Sequence, residues 1–161
     1  MITGALLVLV VAGAVGSGLM AGAFFAFSAF VMTALDRLPP VGAVAAMQSI
    51  NVVAVTPAFM LALMGTTAVC VVVLVAAVAS WGDPSAAYLL AGSGLYLGGV
   101  FALTAAYHVP RNNALALVDP ESPDAAELWA TYRRDWTRWN HVRAVAALAA
   151  AAVFTIAIRV T

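Results

Sequence analysis

Charge is scarce in this chain. Only 9% of its 161 residues are Asp, Glu, Lys or Arg, where a soluble domain carries roughly a quarter. Lysine is missing altogether, so all seven cations are arginines. The formal net charge is zero, which offers nucleic acid no basic patch to bind. The single cysteine, Cys70, sits in the apolar run AVCVVVLV. An internal disulfide is excluded, and Cys70 reads as a small buried hydrophobe. There are two histidines, His108 and His141, and no carboxylate inside any apolar run. No protein-built metal centre of three or four ligands is expected from that stock. The first apolar run lacks the charged leader and cleavage site of a signal peptide, is too long for one, and is expected to be retained.

Apolar residues are what the chain has, at 65%. They fall into four runs, at about 2–35, 52–79, 86–107 and 140–158. Each reaches the ~20 residues that cross the hydrocarbon core. Backbone groups in lipid must be bonded within the segment, so the runs are helices. The fold expected is an all-α, integral membrane four-helix bundle, one domain over residues 1–161. DRLPP (Asp36 to Pro40) stops the first helix, and VGAVAAMQSIN reads as a short helical lead into the second. Pro57 reads as a kink within that second span. WGDPS (Trp81 to Ser85) is a turn before the third span. VDPESPDAAELW is a polar loop, after which an interfacial helix starting near Ser122 to Asp124 flows into the fourth span.

Six arginines fall on the face holding the loops after the first and third spans, and only Arg159 falls on the terminal face. By the positive-inside rule the loop face is cytoplasmic and both termini are outside. Heavy Ala, Val and Arg usage suggests a bacterial gene, and hence a bacterial inner membrane. GLMAG (Gly18 to Gly22) and GLYLG (Gly94 to Gly98) are small-xxx-small motifs that serve close packing inside the bundle or, less favoured, self-association into a homo-oligomer.

Polar groups converge on the loop face. His108, Arg111, Asn112 and Asn113 end the third run, and Asn140, His141 and Arg143 begin the fourth. Gln48 and Asn51 precede the second, on one helical side. Ser28 lies inside the end of the first, within FFAFSAF. Polar groups at membrane depth usually face the bundle interior and mark a site. Trp129, Tyr132, Trp136, Asn140 and Arg143 form one narrow stripe at ~100° per residue, and Arg134, Arg138 and His141 form a second stripe. The first is expected to face inward, because Arg143 is the deepest charge. Plainer roles stay open: Trp81 and Trp129 as an interfacial belt, Arg133, Arg134 and Arg138 as snorkelling cations, Asn112 and Asn113 as caps of a helix broken at Pro110. Haem ligated by His108 and His141 is the alternative cofactor reading.

Taken in order, FFAFSAFVMTALDRLP, AMQSIN, VPRNNAL and WNHVR resemble the anthrone oxygenase-like family of small four-helix membrane proteins. The resemblance covers nearly the whole chain. It implies O₂-dependent oxidation of an anthrone to an anthraquinone. The family pattern falls on Gln48, Asn51, Pro110, Asn112, Asn113, Trp136, Trp139, Asn140 and Arg143. The chain departs from it at His108, where asparagine is more usual, and at Arg111, often apolar. The expectation is a membrane oxygenase of a lipophilic aromatic, anthrone- or quinol-like, with O₂ as co-substrate and no other cofactor. His141, or His108, would be the base. Arg143, Asn140 and Asn112 would hold the oxyanion. Phe25 and its neighbours, Tyr107, Tyr132, Trp136 and Trp139 would meet the rings, with Ser28, Gln48, Asn51 and Asn113 completing the substrate site. The competing classes are a haem-binding redox protein, which a Soret band would reveal, and a non-enzymatic lipophile-binding or partner-subunit protein.

Overall fold

The computed structural model describes residues 4–160, which are helical almost throughout, with no strand among them. Four helices are long and apolar enough to cross a membrane: α1 (Gly4–Leu35), α3 (Pro57–Ala79), α4 (Ala86–Ala116) and α5 (Ala125–Arg159). Between the first two lies a shorter helix, α2 (Pro40–Val53). The protein is a multi-pass membrane protein. Each spanning helix packs on its two neighbours in the ring, α1 on α3 and α5, and α4 on the same two.

Two boundaries differ from the sequence reading. The second span begins at Pro57, after a break at Ala54 to Thr56. Pro57 therefore starts a helix and does not kink one. Its missing N–H costs nothing in the first turn, and the Thr56 hydroxyl accepts from the Phe59 N–H at 3.3 Å as an N-cap. The third span does not stop at Tyr107 but runs through Pro110 to Ala116. The turn just before that proline, Thr104–His108, is a widened π turn. A locally widened helix relieves the crowding between a proline ring and the carbonyl four residues back. The fourth span agrees with the reading: the interfacial segment and the span are one helix of 35 residues.

Close packing is achieved, but by other glycines than GLMAG and GLYLG. A side chain on Gly18, Gly22, Gly94 or Gly98 would meet nothing within 4 Å, so these motifs face outward and the internal-packing reading of them is overturned. The tight contacts are at Gly16 on Thr66, Gly99 on Ala146, and Gly92 on Phe154. A Cβ at Gly92 would lie 2.8 Å from the Phe154 ring, whose opposite edge is 3.3 Å from where a Cβ at Gly13 would sit. The ring is wedged between α1 and α4. Motif spacing puts two small residues on one face, but cannot say which face meets a neighbour.

The apolar interior divides into two clusters. The larger runs through the span region, with Met20, Phe24, Leu63, Tyr96, Val100, Ala147 and Phe154 among its members. The smaller lies at the loop end, where α2 joins Met32, Leu35, Leu115, Trp129, Tyr132 and Trp136. Trp129 is buried in this cap and is not part of an interfacial belt, whereas Trp81 is exposed. Gln48 ties α2 down by donating to the Leu115 and Val118 carbonyls at 2.9 and 2.8 Å. An ion pair of 2.8 Å between Arg133 and Asp36 fastens α5 to the first loop.

Candidate functional site

Between the two clusters lies a cavity of about 700 Å³. Its shape follows from irregularities in three spans. Phe27 lies in a π turn of α1, Leu63 and Met64 in one of α3, and Phe101, Thr104, Ala105 and His108 in two of α4; all seven line the cavity. A π turn inserts an extra residue and re-aims the side chains after it, which is why such turns recur at functional sites. The broken segment Ala54 to Thr56 completes the wall.

The lining is mostly apolar, with Ser49 and Thr56 near the break before α3 and a denser polar group at one end. There Thr104, His108 and Asn112, at four-residue spacing along α4, meet Asn51 from α2 and Arg143 from α5. Arg143 is 5% exposed, and among the described residues no carboxylate pairs with it. Its guanidinium donates to Asn140 Oδ1 at 2.6 Å and to Thr104 Oγ1 at 3.2 Å, and its Nε has no partner. It lies 4.3 Å over the Phe24 ring and 5.3 Å from that of Trp136. Aromatic faces solvate a cation without neutralising it. The arrangement is a fixed positive charge beside an apolar space.

His108 is 1% exposed. Its Nδ1 is 3.4 Å from the Leu103 carbonyl. A carbonyl only accepts, so this contact favours the tautomer with the proton on Nδ1. The Trp136 backbone also approaches the ring; with the proton on Nδ1, Nε2 is the basic nitrogen, and it makes no hydrogen bond of good geometry. The ring stands edge-on to Trp136 at 5.2 Å between centroids. Trp136 is held in turn by Asn112, whose Oδ1 accepts from the indole Nε1 at 3.0 Å and from the Tyr132 hydroxyl at 2.9 Å. An indole cannot accept, so the Asn112 oxygen is assigned and its NH₂ points elsewhere. Asn51 Nδ2 is also buried, beside the Tyr132 hydroxyl.

The inward stripe of α5 is as expected: Trp129, Tyr132, Trp136, Asn140 and Arg143 are all buried. Of the candidate site residues, His108, Asn112, Asn51, Trp136 and Arg143 line the cavity together. Asn140 stands behind it. Its Nδ2 donates to the Phe24 carbonyl and to Ser28 Oγ, both at 2.7 Å, while its Oδ1 receives Arg143. Asn140 and Ser28 are thus a strut that positions the arginine. Tyr132 braces Asn112, and Gln48 holds backbone.

The structure does not bring the others there. His141 is exposed and lines a separate shallow hollow with Ser28, Thr33, Arg134 and Arg138. One residue beyond Asn140 is ~100° around the helix, so His141 does not share a space with His108 as a base or as paired haem ligands would. Phe25 and Asn113 are exposed, and Phe24 and Phe27 take the aromatic positions instead. Tyr107 and Trp139 pack on each other at 5.1 Å outside the cavity, with Arg111 3.5 Å over the Tyr107 ring. Among the described residues no group of three or more His, Cys, Asp or Glu is placed to hold a metal ion. Sequence reasoning missed Thr104 and the apolar wall of Phe59, Met60, Leu63 and Phe101. Thr104 had a signal in its four-residue spacing from His108, but the apolar residues had none.

Neither the curated proteins nor the solved structures contain a match to the chain. A family model does match. It covers residues 59–153, which hold α4 and the parts of α3 and α5 that carry Leu63, Thr104, His108, Asn112, Trp136 and Arg143, and leaves out α1 and α2. The description of that model is anthrone oxygenase, and this four-span membrane protein belongs to the anthrone oxygenase family.

Proposed function

We propose that the protein oxygenates a lipophilic aromatic substrate of the anthrone or quinol kind in this cavity, with O₂ as the only co-substrate. The observation that carries the reading is Arg143, a buried cation with no counter-anion among the described residues, lining the same cavity as a buried histidine whose Nε2 makes no hydrogen bond of good geometry. An uncompensated charge at membrane depth is costly to hold. A ligand that becomes anionic during reaction gives it a role.

The chemistry suits those groups. An anthrone has a carbon-bound hydrogen made acidic by the flanking rings. His108 Nε2 takes that proton, and the enolate oxygen settles against Arg143 and the NH₂ of Asn112. The electron-rich carbon then gives electrons to O₂ and joins it as a hydroperoxide, taking a proton back on the distal oxygen. Loss of the second hydrogen on that carbon, with cleavage of the O–O bond, releases water and leaves the quinone carbonyl. One O₂ supplies one oxygen atom to product and one to water. Trp136, Phe24 and Phe27 present ring faces and edges to a flat substrate.

The cationic loop face supports a cytoplasmic orientation of the polar end in a bacterial inner membrane, with both termini outside. The outward Gly18–Gly22 and Gly94–Gly98 faces suit lipid or a second copy. The test is oxygen uptake by protein in lipid nanodiscs supplied with anthrone. Anthraquinone should form with one O₂ consumed per anthrone, and His108→Gln should abolish it. Uptake no faster than in empty nanodiscs would reject the proposal.

A further inference from the structure

The cavity is not closed. Seven of its lining residues are also exposed: Ser49, Val53, Val55, Thr56, Met64, Ala105 and Val109, with Val53 at 63% and Val55 at 68%. A residue that both lines a cavity and faces outward marks its mouth. Five of the seven are apolar and give the mouth a hydrocarbon-facing side, while Ser49 and Thr56 lie on the loop side of Pro57. Its position follows from the packing. The second and third spans pack together along Thr66–Ala79 and Ala86–Tyr96, but have no comparable contact between Pro57–Gly65 and Thr104–Ala116. The two helices part at the loop end, and the broken segment Ala54 to Thr56 borders the gap.

The interior is sorted by polarity. Oxygen-seeking groups, Arg143, His108 and Asn112, stand at one end. Phe59, Met60 and Met64 lead from there to the lateral gap. A space of about 700 Å³ is in the upper part of the range of small-molecule sites. A bare three-ring nucleus engaged with Arg143 does not reach the exposed lining residues Val55 and Met64 and at the same time fill the space between.

We infer that the ligand is a membrane-resident aromatic carrying a long apolar chain, which enters sideways between α3 and α4 and leaves its chain in the gap while its oxygenated ring meets Arg143. The inference rests on the oxygenation reading for the ring's orientation, but the chain is argued from the mouth alone. Lipid supplies such a molecule directly, and water is never crossed.

The probe is an anthraquinone bearing a decyl chain with a diazirine at its far end, photolysed with the protein in phosphatidylcholine nanodiscs. Labelled peptides are mapped by mass spectrometry. Labels should concentrate on residues 53–64 and 101–109, and an unlabelled decyl anthraquinone should compete them away. Val55→Trp, which narrows the mouth, should cut that labelling about tenfold or more, the scale of overpacking a tight site. Val75→Trp, on an exposed part of α3 away from the cavity, should not change it. Labels scattered over all lipid-facing surfaces, uncompeted, would overturn the inference, as would labelling indifferent to Val55→Trp. The two readings fail separately. Oxygen uptake on bare anthrone with scattered labels would remove the chain and keep oxygenation. Competed labels at the mouth without uptake on the chain-bearing anthrone would remove oxygenation and keep the chain-bearing ligand.

Discussion

Arg143→Met separates a functional arginine from a structural one. A charged residue at the centre of a spanning helix costs about 2.5–3.5 kcal/mol by insertion measurements, which is an upper bound for Arg143 near the loop end of its span. Against that stand two hydrogen bonds and two ring contacts. Hydrogen bonds between spanning helices average about 0.6 kcal/mol and reach about 1.7. The 2.6 Å bond to Asn140 belongs at the upper end and the 3.2 Å bond to Thr104 at the lower. Each ring contact adds about 0.5–1 kcal/mol. The favourable terms come to about 3–4 kcal/mol and nearly cancel the cost. Methionine fills similar space and adapts to it, while leaving the Asn140 oxygen without its donor. Net destabilisation should therefore stay under about 2 kcal/mol.

Activity should respond quite differently. Removing one preorganised donor from a developing oxyanion costs about 10²–10³ in kcat, and here the donor also carries the site's charge. Unfolding by sodium dodecyl sulfate titration in mixed micelles, followed by far-ultraviolet circular dichroism, measures the first quantity. An oxygen electrode with anthrone measures the second. The expected pattern is a nearly unshifted unfolding curve and at least a hundredfold loss of oxygen uptake. A loss of stability above about 3 kcal/mol with uptake within tenfold of wild type would refute the reasoning. That is the pattern of a broken buried pair, and Arg143 would then be part of the scaffold.

His108→Gln should lower kcat by about 10²–10⁴, the usual worth of a general base, with an unchanged unfolding curve. His141→Ala should leave oxygen uptake within twofold of wild type, because the side chain is exposed on another side of α5. Asn140→Leu should cost about 2–4 kcal/mol, since it strands the Phe24 carbonyl, Ser28 and Arg143 together. Its activity should fall with that of Arg143→Met and not below it in the double variant. Gly92→Ala should destabilise by about 1–3 kcal/mol, because the Phe154 ring it meets is blocked on its far side by α1; Gly94→Ala, with open space around it, should not.

The parts legible in the sequence were those written in periodicity. Residues 129, 132, 136, 140 and 143 share a face whatever else surrounds them, so the inward stripe of α5 could be read before any packing was known. The scarcity of charge likewise fixed the spans. What the sequence hides is departure from ideal helix. Pro57 and Pro110 carry the same ring and the same missing N–H, yet one opens a helix and the other lies inside one. The difference is made by a threonine cap in the first case and a preceding π turn in the second. Neither is encoded by the proline. The placement of Phe25 and His141 away from the cavity has the same origin. Each lies one residue from a cavity-facing or strut residue, Phe24 and Asn140, and ~100° of rotation carries it out of the site.

The cavity itself follows from those departures. Four straight helices with small residues at their contacts close on one another, as Gly16, Gly92 and Gly99 do here. To keep a large space open in lipid, the bundle must spread without leaving backbone groups unsatisfied. A π turn does this, since it changes the register of the chain while keeping its hydrogen bonds within the helix. Three of the four spans carry one at the cavity, and the fourth contributes Trp136 and Arg143 from regular helix. Arg143, the charge of the site, therefore sits on a regular helix, where its geometry is best fixed. The apolar walls, together with Thr104 and His108, sit on the irregular spans, where the helices can part to admit a ligand from the bilayer.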